Sequence, residues 1–396
     1  MLPGVTILLE NGALGLVPGT DDGVAGLLLQ TAVAPSGLAL LTARQLFSLT
    51  DAEALGITSA YDTTNSCKVH KHIKEFYTEG GKGRTLWIML VSNAVSMATM
   101  ADKTQANYAV KLLDAASGSI RLLGITRSAP GAYTPVTAGN GLDVDSLNAA
   151  LNAQALATEY ADNFKPLRVL VEGYAYTGVP AEAKDLKTLT HNRVSVVLGD
   201  TATGANAAVG LLLGRLAKVP VQRNPGRVKD GAVATNTAFL GATNVATIST
   251  ASIQVLHDKG YILFRLYSGR SGFYYNDDPT ATIGTDDYSS LARGRVIDKA
   301  IRIAYNTFVN EILDEVLIDA DGRIATVKAG YYEAIIANQV NTAMTANGEI
   351  SAFEAFVDPL QNVLSTGKIC VDLRIVPVGY AKEIKVTLGF NNPALA

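Results

Sequence analysis

The chain has 396 residues, of which 48% are hydrophobic and 17% charged, with a formal net charge of −3. That length allows two or three domains with large buried cores, and so low a charged fraction fits either a large core or a surface buried against other copies. With no basic excess to neutralise a phosphate backbone, electrostatic nucleic-acid binding is excluded. The two cysteines, Cys67 and Cys370, give no disulfide framework and fit a reducing compartment.

Residues 1–11 read as an extended arm, opening Leu2-Pro3-Gly4-Val5-Thr6-Ile7-Leu8-Leu9-Glu10 without the basic n-region of a signal peptide. Gly12–Asp22 is glycine-rich and loop-like. Val24–Leu29 reads as a buried strand. Val24–Ala43 is uncharged over the length of a membrane span, but Gln30, Thr31, Pro35, Ser36 and Gly37 break it into strand, loop and strand. Thr42–Phe47 is expected to start a short helix with a threonine cap. His70–Thr78 reads as helix, ended by Gly80-Gly81, and Thr85–Val91 as strand.

Strands and helices then alternate. Helices are expected over Thr104–Ser117, Asp145–Asn163 and Ala205–Lys218, and strands over Ser119–Thr126, Leu167–Val171 and Arg193–Leu198. This alternation implies a mostly parallel, helix-covered sheet. Pro220–Gly241 reads as an irregular connection, followed by strands at Tyr261–Tyr267 and Phe273–Asp278. Arg295–Val316 is expected to be a long helix with Ile297, Ile301, Ala304, Phe308 and Ile312 on one face and Asp298 elsewhere. A turn at Asp319–Gly322, a helix from about Ala352 to Leu364 and an alternating strand through Ile369, Val371, Leu373 and Ile375 complete the body. The chain closes on Glu383–Phe390, apolar at every second position. Strand-like termini are unusual, because disorder concentrates at chain ends. They fit ends that add to the sheet edge of a neighbouring copy.

Chemistry-bearing constellations are few. Cys67, His70 and His72 form a small cluster, but His72 would point away from the other two on a helix and no fourth ligand is near. The segment reads better as a solvated helix. Asp319-Ala320-Asp321-Gly322 imitates a calcium loop, yet its glycine comes early and Gly330 stands where a bidentate glutamate belongs. Gly199–Gly204 lies between a strand and a helix, so its amides could bind an anion; it lacks a P-loop ending. Gly80–Thr85 carries Lys82 among glycines but precedes a strand. His191 is placed in a polar loop and His257 at a surface turn, and no serine sits in a Gly-x-Ser-x-Gly elbow.

Taken in order, these features resemble the sheath proteins of contractile phage tails and related injection systems. The resemblance rests on Leu2-Pro3-Gly4-Val5 followed by Glu10, and on the strand, loop and helix of Val24–Gly56. His72–Gly81 followed by Trp87–Val91 is similar to that family's aromatic helix, Gly-Gly turn and strand. Leu256–Asp287, Arg293 before the long helix, and the closing pair of strands are similar to its C-terminal block. Pro220–Gly241 matches only loosely.

The resemblance implies an α/β fold. It has a mixed, largely parallel helix-flanked sheet in the middle, an α+β domain built from both chain ends, and extended β-strand N- and C-terminal arms. The implied organisation is a linking arm over 1–22, a first part of the sheath core over 23–84, a central α/β domain over 85–250, a C-terminal α+β domain over 251–380 and a linking strand over 381–396. It further implies a structural protein, not an enzyme, needing no cofactor or metal. Partners would be other copies in hexameric rings and a helical polymer, the tail tube protein, and baseplate and tail terminator proteins, with no nucleic acid and no membrane insertion. The particle would be a virion tail or injection system assembled in the bacterial cytoplasm. Val5, Ile7 and Leu9 on the N-terminal arm, and Ile384, Val386 and Leu388 on the closing strand, are the expected inter-subunit contacts. Two other readings stay open: an α/β enzyme or phosphate-ligand binder using Gly199–Gly204, and a different self-assembling shell or tube.

Overall fold

The computed structural model describes residues 21–390. The chain forms two compact units, divided between Ile312 and Leu313.

The first unit is organised by a six-stranded sheet. Its strands are β1 (Ala25–Thr31), β2 (Ala43–Leu46), β3 (Leu86–Ser92), β4 (Leu122–Ile125), β5 (Arg168–Glu172) and β6 (Val194–Val197). Their order is β2-β3-β1-β4-β5-β6, parallel throughout except for β2, which pairs antiparallel with β3 at the edge. Every residue of β1, β4, β5 and β6 is buried. Strands covered on both faces are expected to be apolar runs with no alternation, and the Leu27-Leu28-Leu29 and Val169-Leu170-Val171 segments have that character.

Helices α1 (Leu49–Ala54), α2 (Ser59–Asn65), α3 (Val69–Gly80), α4 (Met97–Ala101), α5 (Ala109–Ala115), α6 (Val144–Asp162), α7 (Val209–Lys218), α8 (Thr250–Asp258) and α9 (Leu291–Phe308) complete this unit. Helices α3 and α7 pack on each other and on the sheet, while α4, α5 and α6 pack on other parts of it. The α3–α7 crossing is unusually close. A Cβ on Gly210 would lie 2.2 Å from the His72 carbonyl oxygen, and one on Gly214 would lie 2.5 Å from that of Phe76. Glycine at both places is therefore a packing requirement.

Several expectations are corrected. Thr42–Phe47 does not begin a helix: Ala43–Leu46 is the antiparallel edge strand, and α1 starts after Ser48, whose hydroxyl and Asp51 form a reciprocal capping box. The helix expected over Thr104–Ser117 is confined to α5, after a loop. The Tyr261–Tyr267 strand shrinks to Phe264–Arg265, paired with Tyr274–Tyr275. Helix α9 starts at Leu291, capped by the Ser290 hydroxyl, and ends at Phe308. Its buried side carries Leu291, Arg295, Val296 and Asp298, whereas Ile297, Ile301, Ala304 and Phe308 are half-buried and Ile312 is exposed. The reason is an ion pair: Asp298 accepts from Arg168 Nε at 2.7 Å and from Arg193 Nη1 at 3.0 Å, clamping α9 to the start of β5. Strands β1, β2 and β3 share one sheet with the strands that follow, and the first compact unit runs on through Ile312.

In the second unit, α10 (Thr326–Val340) continues into a π-helical turn at Asn341–Thr345. A hairpin of β7 (Ile350–Phe356) and β8 (Asp372–Pro377) encloses the short α11 (Val363–Thr366). The helix expected over Ala352–Leu364 is therefore a strand followed by a loop, and α10 lies in a stretch for which the sequence predicts no element. Ala329, Tyr332, Ile336 and Val340 form the buried stripe of α10, which packs on β7. The Asp319–Gly322 turn is present: Asp319 Oδ1 accepts from the amides of Asp321 and Arg323, both at 2.9 Å.

Candidate interaction surface

In a doubly wound sheet, ligands bind beyond the carboxyl ends of the strands, where the strand order reverses. Here that point lies between β1 and β4, and the protein's own side chains fill it. Arg127 Nη1 donates to the Val95 carbonyl at 2.8 Å and to Gln30 Oε1 at 3.2 Å, and its guanidinium sits 4.5 Å from the centre of the Tyr133 ring. Glu172, fully buried, accepts from the amides of Arg127 at 2.6 Å and Ala207 at 2.7 Å, and from Asn206 Nδ2 at 2.8 Å. Burial pushes its pKa up to about 7, against the pull of those three donors. The network is a polar plug.

The glycine loop at Gly199–Gly204 is also committed internally. Asp200 is buried and accepts from Lys71 Nζ at 2.5 Å, while the Thr201 hydroxyl donates to Glu75 Oε1 at 2.5 Å. Helix α7 does not begin until Val209, past the end of the loop, and the loop itself carries the buried Asp200 carboxylate. These residues border a cleft of about 710 Å³ lined by Asp62, Lys68, Lys71 and Glu75 among others. Burial works against the Lys71 charge, but Glu75 and Asp200 outweigh it and hold its pKa above the ordinary lysine value. Asp62 already occupies the start of α3, accepting from the amides of His70 and Lys71 at 2.9 Å each.

The Cys67, His70 and His72 segment is not a solvated face, since all three are buried. His72 lies against α7, where its Nδ1 accepts from the Gly210 amide at 3.4 Å. Burial, then Lys71 and Lys68, depress its pKa well below the ordinary histidine value. Among the described residues, no group of three His, Cys, Asp or Glu side chains is placed to hold a metal ion. His191 lies buried in a two-residue strand pairing with Ala281, not in a polar loop. His257 lies in the last turn of α8.

The second unit offers a different kind of surface. β7 and β8 pair only with each other, so each leaves one edge without a strand neighbour among the described residues. Phe353, Ala355, Leu373 and Ile375 are the half-buried positions, while Ala352, Glu354, Phe356, Arg374 and Val376 are exposed. Beyond β8, residues 378–390 enter no ladder. Ile384, Val386 and Leu388 are 78%, 69% and 91% exposed. The alternation that sequence inspection reads as a strand is thus carried by a segment whose apolar side chains are left exposed by the described residues. Val5, Ile7 and Leu9 lie outside the described residues.

The family described as "DUF2586, N-terminal domain" matches residues 2–279, and "DUF2586, C-terminal domain" matches residues 287–395. The chain belongs to the DUF2586 family. No curated protein matches it. Among solved structures, it is similar to a chain of the anti-feeding prophage baseplate in its 6-fold symmetrised structure, with a TM-score of 0.65, 15% identity and 99% of each chain covered. It is similar to a chain of the sheath complex of PVC, an extracellular contractile injection system, in the contracted state. There the TM-score is 0.62, the identity 14% and the coverage 99% and 98%. A sheath tail protein from Desulfitobacterium hafniense matches with a TM-score of 0.52 at 12% identity, over 95% of this chain and all of that one. The fold is therefore that of contractile-tail sheath proteins. Among the described residues, no helix is long and apolar enough to cross a membrane.

Proposed function

We propose that this chain is the structural subunit of a contractile sheath. It polymerises as stacked hexameric rings around a tail tube and contracts to drive that tube through a target envelope. The observation that carries the reading is the uncovered alternation of Ile384, Val386 and Leu388 in a chain with the sheath fold. The closing segment adds as a strand to a neighbouring copy, with these three side chains facing the neighbour's core, and Val5, Ile7 and Leu9 do the same at the N-terminal arm. The open edges of β7 and β8 are the natural acceptors, because a two-stranded hairpin is marginal by itself and gains from added strands.

Magnitudes explain why such a link belongs to a polymer. Burying an Ile, Val, Leu or Phe side chain contributes about 1.5–3 kcal/mol, while ordering each backbone residue costs about 1–2 kcal/mol. For residues 384–390 the two nearly offset, so backbone pairing and the simultaneous engagement of many arms decide the outcome. Partners are then other copies, a tail tube protein, and baseplate and tail terminator proteins, with no nucleic acid, no cofactor and no membrane insertion. The site of action is a virion tail or injection particle, assembled in the bacterial cytoplasm.

Negative-stain electron microscopy of the purified protein, alone and co-expressed with its neighbouring tail genes, tests the reading. Hollow tubes of stacked rings are expected. A uniform monomer or small closed oligomer across salt and protein concentration would overturn it.

A further inference from the structure

Helix α9 carries an exposed stripe at its C-terminal half. Arg302, Tyr305 and Val309 share one face, at helical spacings of three and four. Tyr305 and Val309 are each 41% exposed, and Phe164, itself 51% exposed, stacks on Tyr305 with ring centres 4.4 Å apart. Phe164 holds this position in a left-handed backbone conformation, φ 59°, which is uncommon for a bulky residue.

The described residues begin beside this stripe, at Asp21 and Asp22. Asp22 pairs with Arg302 and with Lys299 Nζ, the latter at 2.9 Å. Its carbonyl accepts from Arg295 Nη2 at 3.5 Å. Toward the start of α9, Arg295 also donates to the Val219 carbonyl at 3.3 Å, and a Cβ on Gly23 would lie 2.6 Å from the Ala217 carbonyl oxygen. Tyr305 lies one turn beyond Arg302 on the same helix face, about 5–6 Å further along. The segment preceding the Asp22 pin reads Ala13-Leu14-Gly15-Leu16-Val17-Pro18, apolar and without charge. Four residues of extended chain reach about 13–14 Å, enough to bring Pro18 and Val17 over the stripe.

We infer that the Phe164–Tyr305–Val309 patch is an intramolecular docking surface for residues 13–18 of the same chain. Docking there leaves only residues 1–12 free to reach a neighbour, about 40 Å of extended chain where an undocked arm of 20 residues spans about 70 Å. The surface thereby sets how far apart two linked copies can stand.

The test uses the full-length subunit at a dilution where it is monomeric, with a benzophenone photo-cross-linking amino acid in place of Tyr305. Intramolecular cross-links to residues 13–18 are expected. They should be lost when Leu14, Leu16 and Val17 are all replaced by serine, and fall several-fold in Asp22→Asn. Absence of cross-links, cross-links to residues beyond 312, or a cross-linked dimer would each overturn the inference. Because the readout needs no polymer, its failure would leave the sheath reading standing, and absence of tubes would leave this inference standing.

Discussion

Residues 21–312 and residues 313–390 solve the problem of apolar surface in opposite ways. In the first unit, β1, β4, β5 and β6 are wholly buried, and even the charged groups of the interior, such as Arg168 and Asp298, meet partners. In the second, Leu313, Leu317, Val327, Leu364 and Leu388 are more than 70% exposed, and the one hairpin has two open edges. Large apolar side chains this exposed are what an interaction surface presents. The first unit buries most of its apolar surface within itself; in the proposed sheath the second would bury its own against other copies.

The sharpest way to break the comparison is to remove the closing segment. Deletion of residues 384–396 should abolish tubes in electron micrographs while leaving the thermal midpoint of the subunit unchanged. Tubes formed by the truncated chain would sink the donor-strand reading, and global unfolding would mean that the segment pairs within its own subunit.

The next largest effect belongs to the first unit. Asp298→Ala leaves Arg168, which is 1% exposed, without its carboxylate. Orphaning one member of a buried ion pair costs about 3–5 kcal/mol. Urea denaturation should register that loss as a lower midpoint. An unchanged midpoint would mean that apolar packing alone seats α9.

A third effect is pH-dependent. The folded Glu172 carboxyl keeps its proton up to about 7, above the ordinary value of 4.5. The native state therefore binds more protons than the unfolded chain across that window, and stability falls as pH rises through it, being fully present only below about 4.5. The stability lost across the whole window is up to about 3 kcal/mol. Denaturation of the wild type and of Glu172→Gln between pH 5 and 8 should give different slopes. Equal slopes would show that the three donors to the carboxylate outweigh its burial.

How far the sequence could be read follows the same division. The runs that became β1, β3, β5 and β6 are legible because strands covered on both faces tolerate nothing but apolar residues. The second unit misleads because its elements are settled by partners. Ser351-Ala352-Phe353-Glu354-Ala355-Phe356 has good helix formers and phenylalanines three apart, yet it is β7, held by its pairing with β8 and by contact with α10. Helix α10 is obscured by Gly330 and paired tyrosines, although Ala329, Tyr332, Ile336 and Val340 keep helical spacing. On α9, apolar periodicity chose the wrong face because a charged residue, Asp298, turns inward. The period-two alternation of Ile384, Val386 and Leu388 was legible in the sequence, and all three side chains are exposed. The polar plug around Arg127 and Glu172 was not, because its residues come from strand ends far apart in the chain.

The smallest expected effect on the subunit is the most discriminating for the comparison. Leu388 is 91% exposed, so Leu388→Ser removes almost no contact from the folded chain and should change subunit stability by no more than about 0.5 kcal/mol. If the side chain enters a neighbour's core, the same substitution forfeits about 1.5–3 kcal/mol at every link. A sheath repeats that link at each subunit, so a loss too small to see in a denaturation curve should appear as tubes that dissociate at lower denaturant or form only at higher protein concentration. The equivalent change in the first unit, Leu170→Ser in the middle of β5, should do the reverse and unfold the subunit, because Leu170 is fully buried. Tubes of Leu388→Ser as robust as wild type would place the assembly energy elsewhere, on the open edges and exposed face of β7 and β8.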